Sequence, residues 1–266
     1  MAHSNPLSME KSERPRFEVA DIFRKHIGEY KRAHRLSYEQ AKVVSAILDC
    51  RTPAMGGVLK ACAECKRWEF HYKACKNRHC PKCGAFEKAQ WLEAQKKWFL
   101  PIHYYHVVFT IDHVFNSLVA FNQKLLFNLF IQIAAQLLKE FGQKYLGGEI
   151  GFSMVLHTWG QTIQEHLHLH FIVTGGALVS SPTGYRWNAA SRKFLFPVKL
   201  LSKQFRNRFC FELSQLWADD DLNTNDGALN VQSMVTDALS KDWEVFIQSP
   251  LYDQEKLIEY LGRYIF

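Results

Sequence analysis

The sequence predicts an α+β protein: a small N-terminal helical module carrying paired cysteines, then a sheet with helices packed on one face. Three observations predict it. Apolar residues recur at helical spacing in the first fifty positions. Two Cys-x-x-Cys pairs follow at Cys62-Ala63-Glu64-Cys65 and Cys80-Pro81-Lys82-Cys83. Beyond Pro101 strand patterns and helix patterns take turns. The clearest strand is Glu165-His166-Leu167-His168-Leu169-His170-Phe171-Ile172-Val173, in which histidines alternate with apolar residues. Side chains two apart on a strand share a face, so the three imidazoles point one way and the apolar side chains the other.

Residues 1–16 are polar, carry Pro6 and Pro15, and read as a disordered tail without the apolar stretch of a secretory signal. Residues 17–35 read as a helix. Ser37-Tyr38-Glu39-Gln40 fits a capping box, and Val43, Val44, Ile47 and Leu48 supply the stripe of a second helix. Pro53 and Gly56-Gly57 end it. The segment 62–83 is compact and polar, and 85–100 reads as a helix bearing Trp91 and Trp98. Pro101 marks a boundary, which gives an N-terminal domain over 17–100 and a second domain over 101–266.

In the second domain, 104–111 reads as a strand and 116–141 as a long apolar helix stopped by Gly142. Two strands follow at 152–159 and 166–174. Gly175-Gly176 and 180–184 suggest turns beside a further strand pair. Pro197 precedes a basic amphipathic helix, 198–217, and 219–227 is a polar loop. The last elements are a strand at 243–248 and a helix at 253–264. The longest apolar stretch, 125–138, is interrupted by Asn128, Gln132 and Gln136, short of the roughly 18 residues of a membrane span. With 47% hydrophobic and 14% aromatic residues the chain has ample material for a core, which excludes a disordered protein. A soluble, cytoplasmic protein with no membrane partner is expected.

The net charge is +7, from 33 Lys+Arg against 26 Asp+Glu, and the excess is local. Ten Lys/Arg face four Asp/Glu between Lys60 and Lys97, and Arg192 to Arg208 holds Arg192, Lys193, Lys199, Lys203, Arg206 and Arg208 with no carboxylate. Such runs mark a solvated face or the footprint of a polyanion, and paired cysteines inside the first run favour nucleic acid. Arg67, Lys76, Arg78, Lys203 and Arg206 are the candidate DNA contacts, mainly to phosphate. Trp68, Phe70 and Tyr72 either stack on bases or form the miniature core of the cysteine module.

The seven cysteines stand at 50, 62, 65, 75, 80, 83 and 210. Two Cys-x-x-Cys knuckles can converge tetrahedrally on zinc, so Cys62, Cys65, Cys80 and Cys83 are the expected structural Zn²⁺ ligands. Disulfides would need an oxidising compartment. Cys75 and His79 lie close enough to serve as substitutes, whereas Cys50 and Cys210 read as small buried side chains. Four thiolates leave no open position, so this zinc is not catalytic.

A His-x-His strand suits a divalent metal that polarises a phosphodiester for attack by a side-chain nucleophile. Tyr260 and Tyr264 supply hydroxyls four residues apart on one helix face, a spacing that ordinary burial beside Leu257, Leu261 and Ile265 also explains. No GxxxxGK[ST] phosphate loop is present.

Five motifs occur in order: Cys75-Lys76-Asn77-Arg78-His79-Cys80-Pro81-Lys82-Cys83, His106-Val107-Val108-Phe109-Thr110, His157-Thr158-Trp159-Gly160-Gln161, His168-Leu169-His170, and Tyr260-Leu261-Gly262-Arg263-Tyr264. Together they resemble the zinc-binding, two-tyrosine transposases of bacterial rolling-circle insertion sequences, within the HUH endonuclease superfamily. The resemblance runs from about residue 17 to the end. It implies an HUH-type antiparallel sheet and cleavage and rejoining of single-stranded DNA at element ends and target site. His168 and His170 would hold Mg²⁺ or Mn²⁺, with His157, Gln161 or Glu165 as the third ligand and His166 outside the set. Tyr260 or Tyr264 would form a 5′-phosphotyrosine, and Arg263 would contact phosphate.

Family members continue past the tyrosine motif, whereas this sequence stops at Phe266, so a truncated transposase with impaired cleavage is expected. A non-catalytic, zinc-dependent DNA-binding remnant is the alternative, with a plasmid replication initiator or relaxase a third reading.

Overall fold

The computed structural model describes residues 16–160, 164–248, 250–253 and the single positions 256, 258, 259 and 262. The chain divides between Ala94 and Gln95 into two compact units. Among the described residues the protein is α+β, with seven α-helices and antiparallel sheets.

In the N-terminal unit, α1 (Val19–Ala33) and α2 (Tyr38–Asp49) are joined through the expected capping box. Ser37 Oγ accepts from the Gln40 amide at 3.2 Å, and Gln40 Oε1 accepts from the Ser37 amide at 2.9 Å. The segment read as compact and polar contains a hairpin, β1 (Gly57–Ala61) against β2 (Trp68–Tyr72). Helix α3 (Pro81–Lys96) starts at the proline of the second Cys-x-x-Cys, earlier than the expected 85. Proline's fixed φ and missing N–H suit a first helical turn. The core here is small: Ala20, Ile47, Cys50, Cys80 and Cys83.

The second unit is built on a four-stranded antiparallel sheet of order β4-β5-β3-β8, comprising β3 (Tyr104–Thr110), β4 (Phe152–Trp159), β5 (Glu165–Thr174) and β8 (Val245–Ile247). Alternation sorts its faces. Leu169, Phe171 and Val173 of β5 lie in register with Phe109, Val107 and Tyr105 of β3, and all six are buried. Helices α5 (Gln123–Phe141) and α6 (Val198–Ala218) supply Phe130 and Phe205 to the same core, with Phe205 edge-on to Phe109 at 5.1 Å. The opposite face carries the histidines. A separate hairpin, β6 (Gly176–Ser181) and β7 (Gly184–Ala189), is the expected strand pair.

Four further details differ from the sequence reading. The long helix is two, α4 (Asn116–Phe121) and α5, because Asn122 turns its side chain to backbone. Its amide donates to the Leu118 and Asn223 carbonyls, and its oxygen accepts from the Asn223 amide at 2.8 Å. Gly142 does not stop α5. The chain continues through a π-turn, Gly142–Leu146, to Gly147 at φ +70°. A Cβ on Gly142 would meet Ile150 at 2.8 Å, so its role is close approach. The strand at 243–248 shrinks to β8 because Trp243 is buried in the core, its Nε1 donating to Ala238. Helix α7 (Val231–Leu239), capped by Asn230, has no counterpart in that reading. The stretch Gln123–Leu146 is long and apolar enough to cross a membrane, but seven residues of α5 are buried in the core.

Candidate functional site

The first cluster is a set of four thiols: Cys50, Cys75, Cys80 and Cys83, with all Sγ atoms within 4.8 Å of one another. Cys50 caps α2, Cys75 follows the hairpin, and Cys80 and Cys83 frame the first turn of α3. Two of the turns are forced: Arg51 and Lys76, each just after a cysteine, take left-handed φ values of 58° and 53°. Arg51 N–H donates to Lys73 O and Asn77 N–H to Cys75 Sγ, fixing both turns. The Cys50–Cys83 and Cys75–Cys83 sulfur separations are both 3.7 Å. That excludes disulfides, whose sulfurs sit about 2.05 Å apart. It matches the edge, about 3.8 Å, of a tetrahedron with Zn–S bonds of about 2.3 Å. Burial pushes the Cys75 thiol up to about 12.

Of the four cysteines expected to meet, the structure brings two into this cluster. Cys80 and Cys83 join Cys50 and Cys75, whereas Cys62 and Cys65 lie exposed beyond β1. Chain direction is the cause: β1 carries the first Cys-x-x-Cys to the outer end of the hairpin, and β2 returns the chain to Cys75. His79 is exposed and outside the set, and Cys210 is buried in α6 as expected. Trp68, Phe70 and Tyr72 are 67%, 55% and 42% exposed and do not form an enclosed miniature core.

The second cluster lies on the sheet face away from α5 and α6. His157 of β4 pairs across the sheet with His168 of β5, and His170 is two residues on. One ring nitrogen from each lies within 4.8 Å of the others. A bulge just past His157 shifts the register, so His157 pairs with His168 and Trp159 with Glu165. Of the three residues left open as partner to His168 and His170, His157 is the one brought to them. Glu165 is exposed at the start of β5, and Gln161 lies outside the described residues.

Hydrogen bonds orient each ring. His168 Nδ1 donates to the His166 carbonyl at 2.8 Å, which leaves Nε2 as its lone pair, 2.9 Å from His157 Nδ1. His106 on β3, a motif residue with no role assigned from its spacing, approaches His170 Nδ1 with its Nε2 at 2.9 Å. Its other nitrogen faces Gln248 Oε1 at 3.3 Å, and the Gln248 amide donates to the His106 carbonyl at 2.9 Å. One proton arrangement satisfies the chain: His106 Nδ1–H donates to Gln248, His170 Nδ1–H donates to His106, and His170 Nε2 keeps its lone pair. Burial holds these rings neutral, with His168 lowered to about 4 and His170 to about 3, the latter helped by its histidine neighbours. Three neutral, oriented imidazoles this close together could hold a metal ion. His166 instead faces His113 at 3.3 Å.

Tyr260, Tyr264 and Arg263 lie outside the described residues. Arg67, Lys76, Arg78 and Lys203 are exposed. Arg206 is not a free cation: it donates to Lys241 O at 2.5 Å and sits 3.9 Å from Asp242, tying α6 to the turn after α7.

Residues 22–111 match the family described as "Transposase zinc-binding domain", and residues 151–266 the family described as "Putative transposase". The chain is 37% identical over 256 residues to a protein of Sinorhizobium fredii named "Putative transposase y4qJ", an alignment covering 93% of this chain and 64% of that one. It is 26% identical over 234 residues to the transposase for insertion sequence element IS801 of Pseudomonas savastanoi pv. phaseolicola, covering 85% and 55%. The chain thus spans less than two thirds of either relative's length. No solved structure matches it.

Proposed function

The chain belongs to the IS91-type transposases with an N-terminal zinc-binding domain, and from that premise we propose that it cleaves and rejoins single-stranded DNA at insertion-sequence ends through a 5′-phosphotyrosine. The observation that carries this reading is the cluster of His157, His168 and His170 on one sheet face. These residues would hold a divalent ion, with Gln248 and His106 fixing the ring of His170 from behind. Bound there, the ion supplies Lewis-acid neutralisation of the phosphate's non-bridging oxygens. Of Mg²⁺ and Mn²⁺, an all-nitrogen donor set favours Mn²⁺, since Mg²⁺ takes oxygen ligands and sheds water reluctantly.

The nucleophile is assigned to Tyr260 or Tyr264 on the family motif. Its phenol oxygen forms a bond to phosphorus, the bond from phosphorus to the 3′ oxygen breaks, and that oxygen takes up a proton to leave a 3′-hydroxyl. A DNA 3′-hydroxyl reverses the step: its oxygen bonds to phosphorus, the bond from phosphorus to the tyrosine oxygen breaks, and the phenol regains its proton. The phosphotyrosine conserves the bond energy, so no nucleotide cofactor is needed. The four-cysteine cluster would hold structural Zn²⁺ and shape the N-terminal unit, from which Arg67, Lys76 and Arg78 reach DNA phosphates.

The test uses purified chain, Mn²⁺ and labelled single strands from both flanks of its locus. A covalent protein–DNA band on a denaturing gel is expected, lost in His168→Ala and in one or both of Tyr260→Phe and Tyr264→Phe. Tight binding without an adduct, on DNA that an intact relative does cleave, would leave a DNA-binding remnant instead.

A further inference from the structure

The β6–β7 hairpin of the second unit presents uncovered aromatic rings. Trp187 lies in register with Leu178, and Tyr185 with Ser180, so these four side chains share one face. Tyr185 is 75% exposed, Leu178 42% and Trp187 39%. A Cβ on Gly176 would meet Trp187 Cζ2 at 2.4 Å and Cε2 at 2.6 Å, so the glycine lets the indole lie against backbone. The ring is held in place without being enclosed. Among the described residues neither Trp187 nor Tyr185 contacts another ring. Alternation tells which side of the sheet this face continues. Leu169, Phe171 and Val173 of β5 enter the core, and Ala177 of β6 does too, so the bend at Gly175 preserves the alternation. Gly176 and Leu178, with Trp187 and Tyr185 beside them, therefore continue the side that carries His168 and His170. From His170 to Gly176 the strand covers about 20 Å, at about 3.3 Å per residue. Ile172 and Thr174 between them are buried, and Trp98, 80% exposed, borders the same small cavity as these two.

We propose that the β6–β7 face is a base-stacking platform, on which bases of the single strand flanking the scissile phosphate stack against Trp187 and Tyr185. Charge selects the occupant. No Asp or Glu occurs between Glu165 and Glu212, a stretch that holds seven Lys/Arg, Arg186 of β7 among them. Glu149 bonds through its backbone to Leu178, on the edge of β6 away from β7. Such a segment attracts a polyanion and repels a second copy of itself. Ring shape selects the strand state. Exposed aromatic rings stack on unpaired bases of any sequence, whereas a duplex keeps its base faces stacked on one another. The platform's place beside a cut rests on the cleavage reading above, but its grip on a single strand does not.

Fluorescence anisotropy with a labelled single-stranded oligonucleotide, and no added divalent ion, separates binding from cleavage. The full chain is compared with Tyr185→Ala and with Trp187→Leu, which keeps an apolar side chain over Gly176. Each should bind about tenfold more weakly, the loss of one stacked base, with an unchanged circular dichroism spectrum. Affinity for a duplex of the same sequence should stay the same. A second measurement needs no variant: replacing bases of the oligonucleotide by abasic residues should weaken wild-type binding to a similar extent. The double variant should be indifferent to that replacement. Unchanged single-strand affinity in the double variant overturns the platform, even where the wild-type chain forms a covalent adduct with Mn²⁺. So does wild-type binding that ignores abasic residues. A tenfold loss in a chain that forms no adduct supports the platform while the cleavage reading falls. Equal losses on single strand and duplex assign the face to phosphate contact, and a change of mass in light scattering assigns it to a second copy. Either result overturns base stacking.

Discussion

His170 shows how a single ring is prepared for metal. Its Nδ1 is engaged by His106, and His106 is anchored by Gln248 through both side chain and backbone. Removing such an outer partner typically costs about 10–100-fold in metal affinity. His106→Ala should weaken Mn²⁺ binding by that factor in a calorimetric titration, and His106→Gln, which keeps an acceptor near the Nε2 position, should recover part of it. Gln248→Leu should have a smaller effect of the same sign. Unchanged Mn²⁺ affinity in His106→Ala would make the contact incidental. His168 and His170 were legible in the sequence because strand alternation alone puts them on one face. Their partner was not, since only the pairing of β4 with β5 brings His157 opposite His168.

Among the elements, the two hairpin strands decide which cysteines meet. Cys50→Ser and Cys75→Ser should each lose the structural zinc and much of the helical signal of α1 and α2, because the cysteines are most of that unit's small core. Cys62→Ser should leave those helices intact by circular dichroism, and an equal loss of helix would return Cys62 to the first site. In the second unit, Arg208 of α6 grips Glu140 of α5 through two 2.9 Å bonds. These bonds to Arg208 hold the Glu140 carboxyl below its ordinary value. A depressed carboxylate contributes stability above its unfolded pKa, and that contribution is lost as pH falls through the folded value. The pair is partly exposed, so Glu140→Gln should cost at most about 1 kcal/mol at neutral pH. The cost should vanish in acid, as measured by urea unfolding of both proteins at the two pH values.

For the whole molecule, two units with separate cores and separate metal clusters should respond separately to metal removal. Strong chelation should abolish the order of the N-terminal unit, which depends on its thiol cluster, while the larger apolar core keeps the sheet folded. Thermal unfolding followed by circular dichroism should then lose one transition and retain the other. The retained unit should still bind added Mn²⁺. A single transition that disappears entirely on chelation would show that the sheet also depends on zinc.

The sequence by itself determined the α+β class, the capping box at Ser37, the outward row of histidines and the family. Each rests on local spacing or on motif order, which a linear chain carries in full. Only tertiary structure decided which cysteines and which histidines meet. Cys50 lies 25 residues from Cys75, and His106 lies 64 from His170. Spacing close to Cys80 made Cys62 and Cys65 look like its partners, but a hairpin sends neighbours in sequence to opposite ends. The same holds for α5, whose break at Asn122 follows from hydrogen bonds to Asn223, 101 residues away. Ligand sets are chosen by which strands pair and where turns reverse, and those are properties of the packed chain.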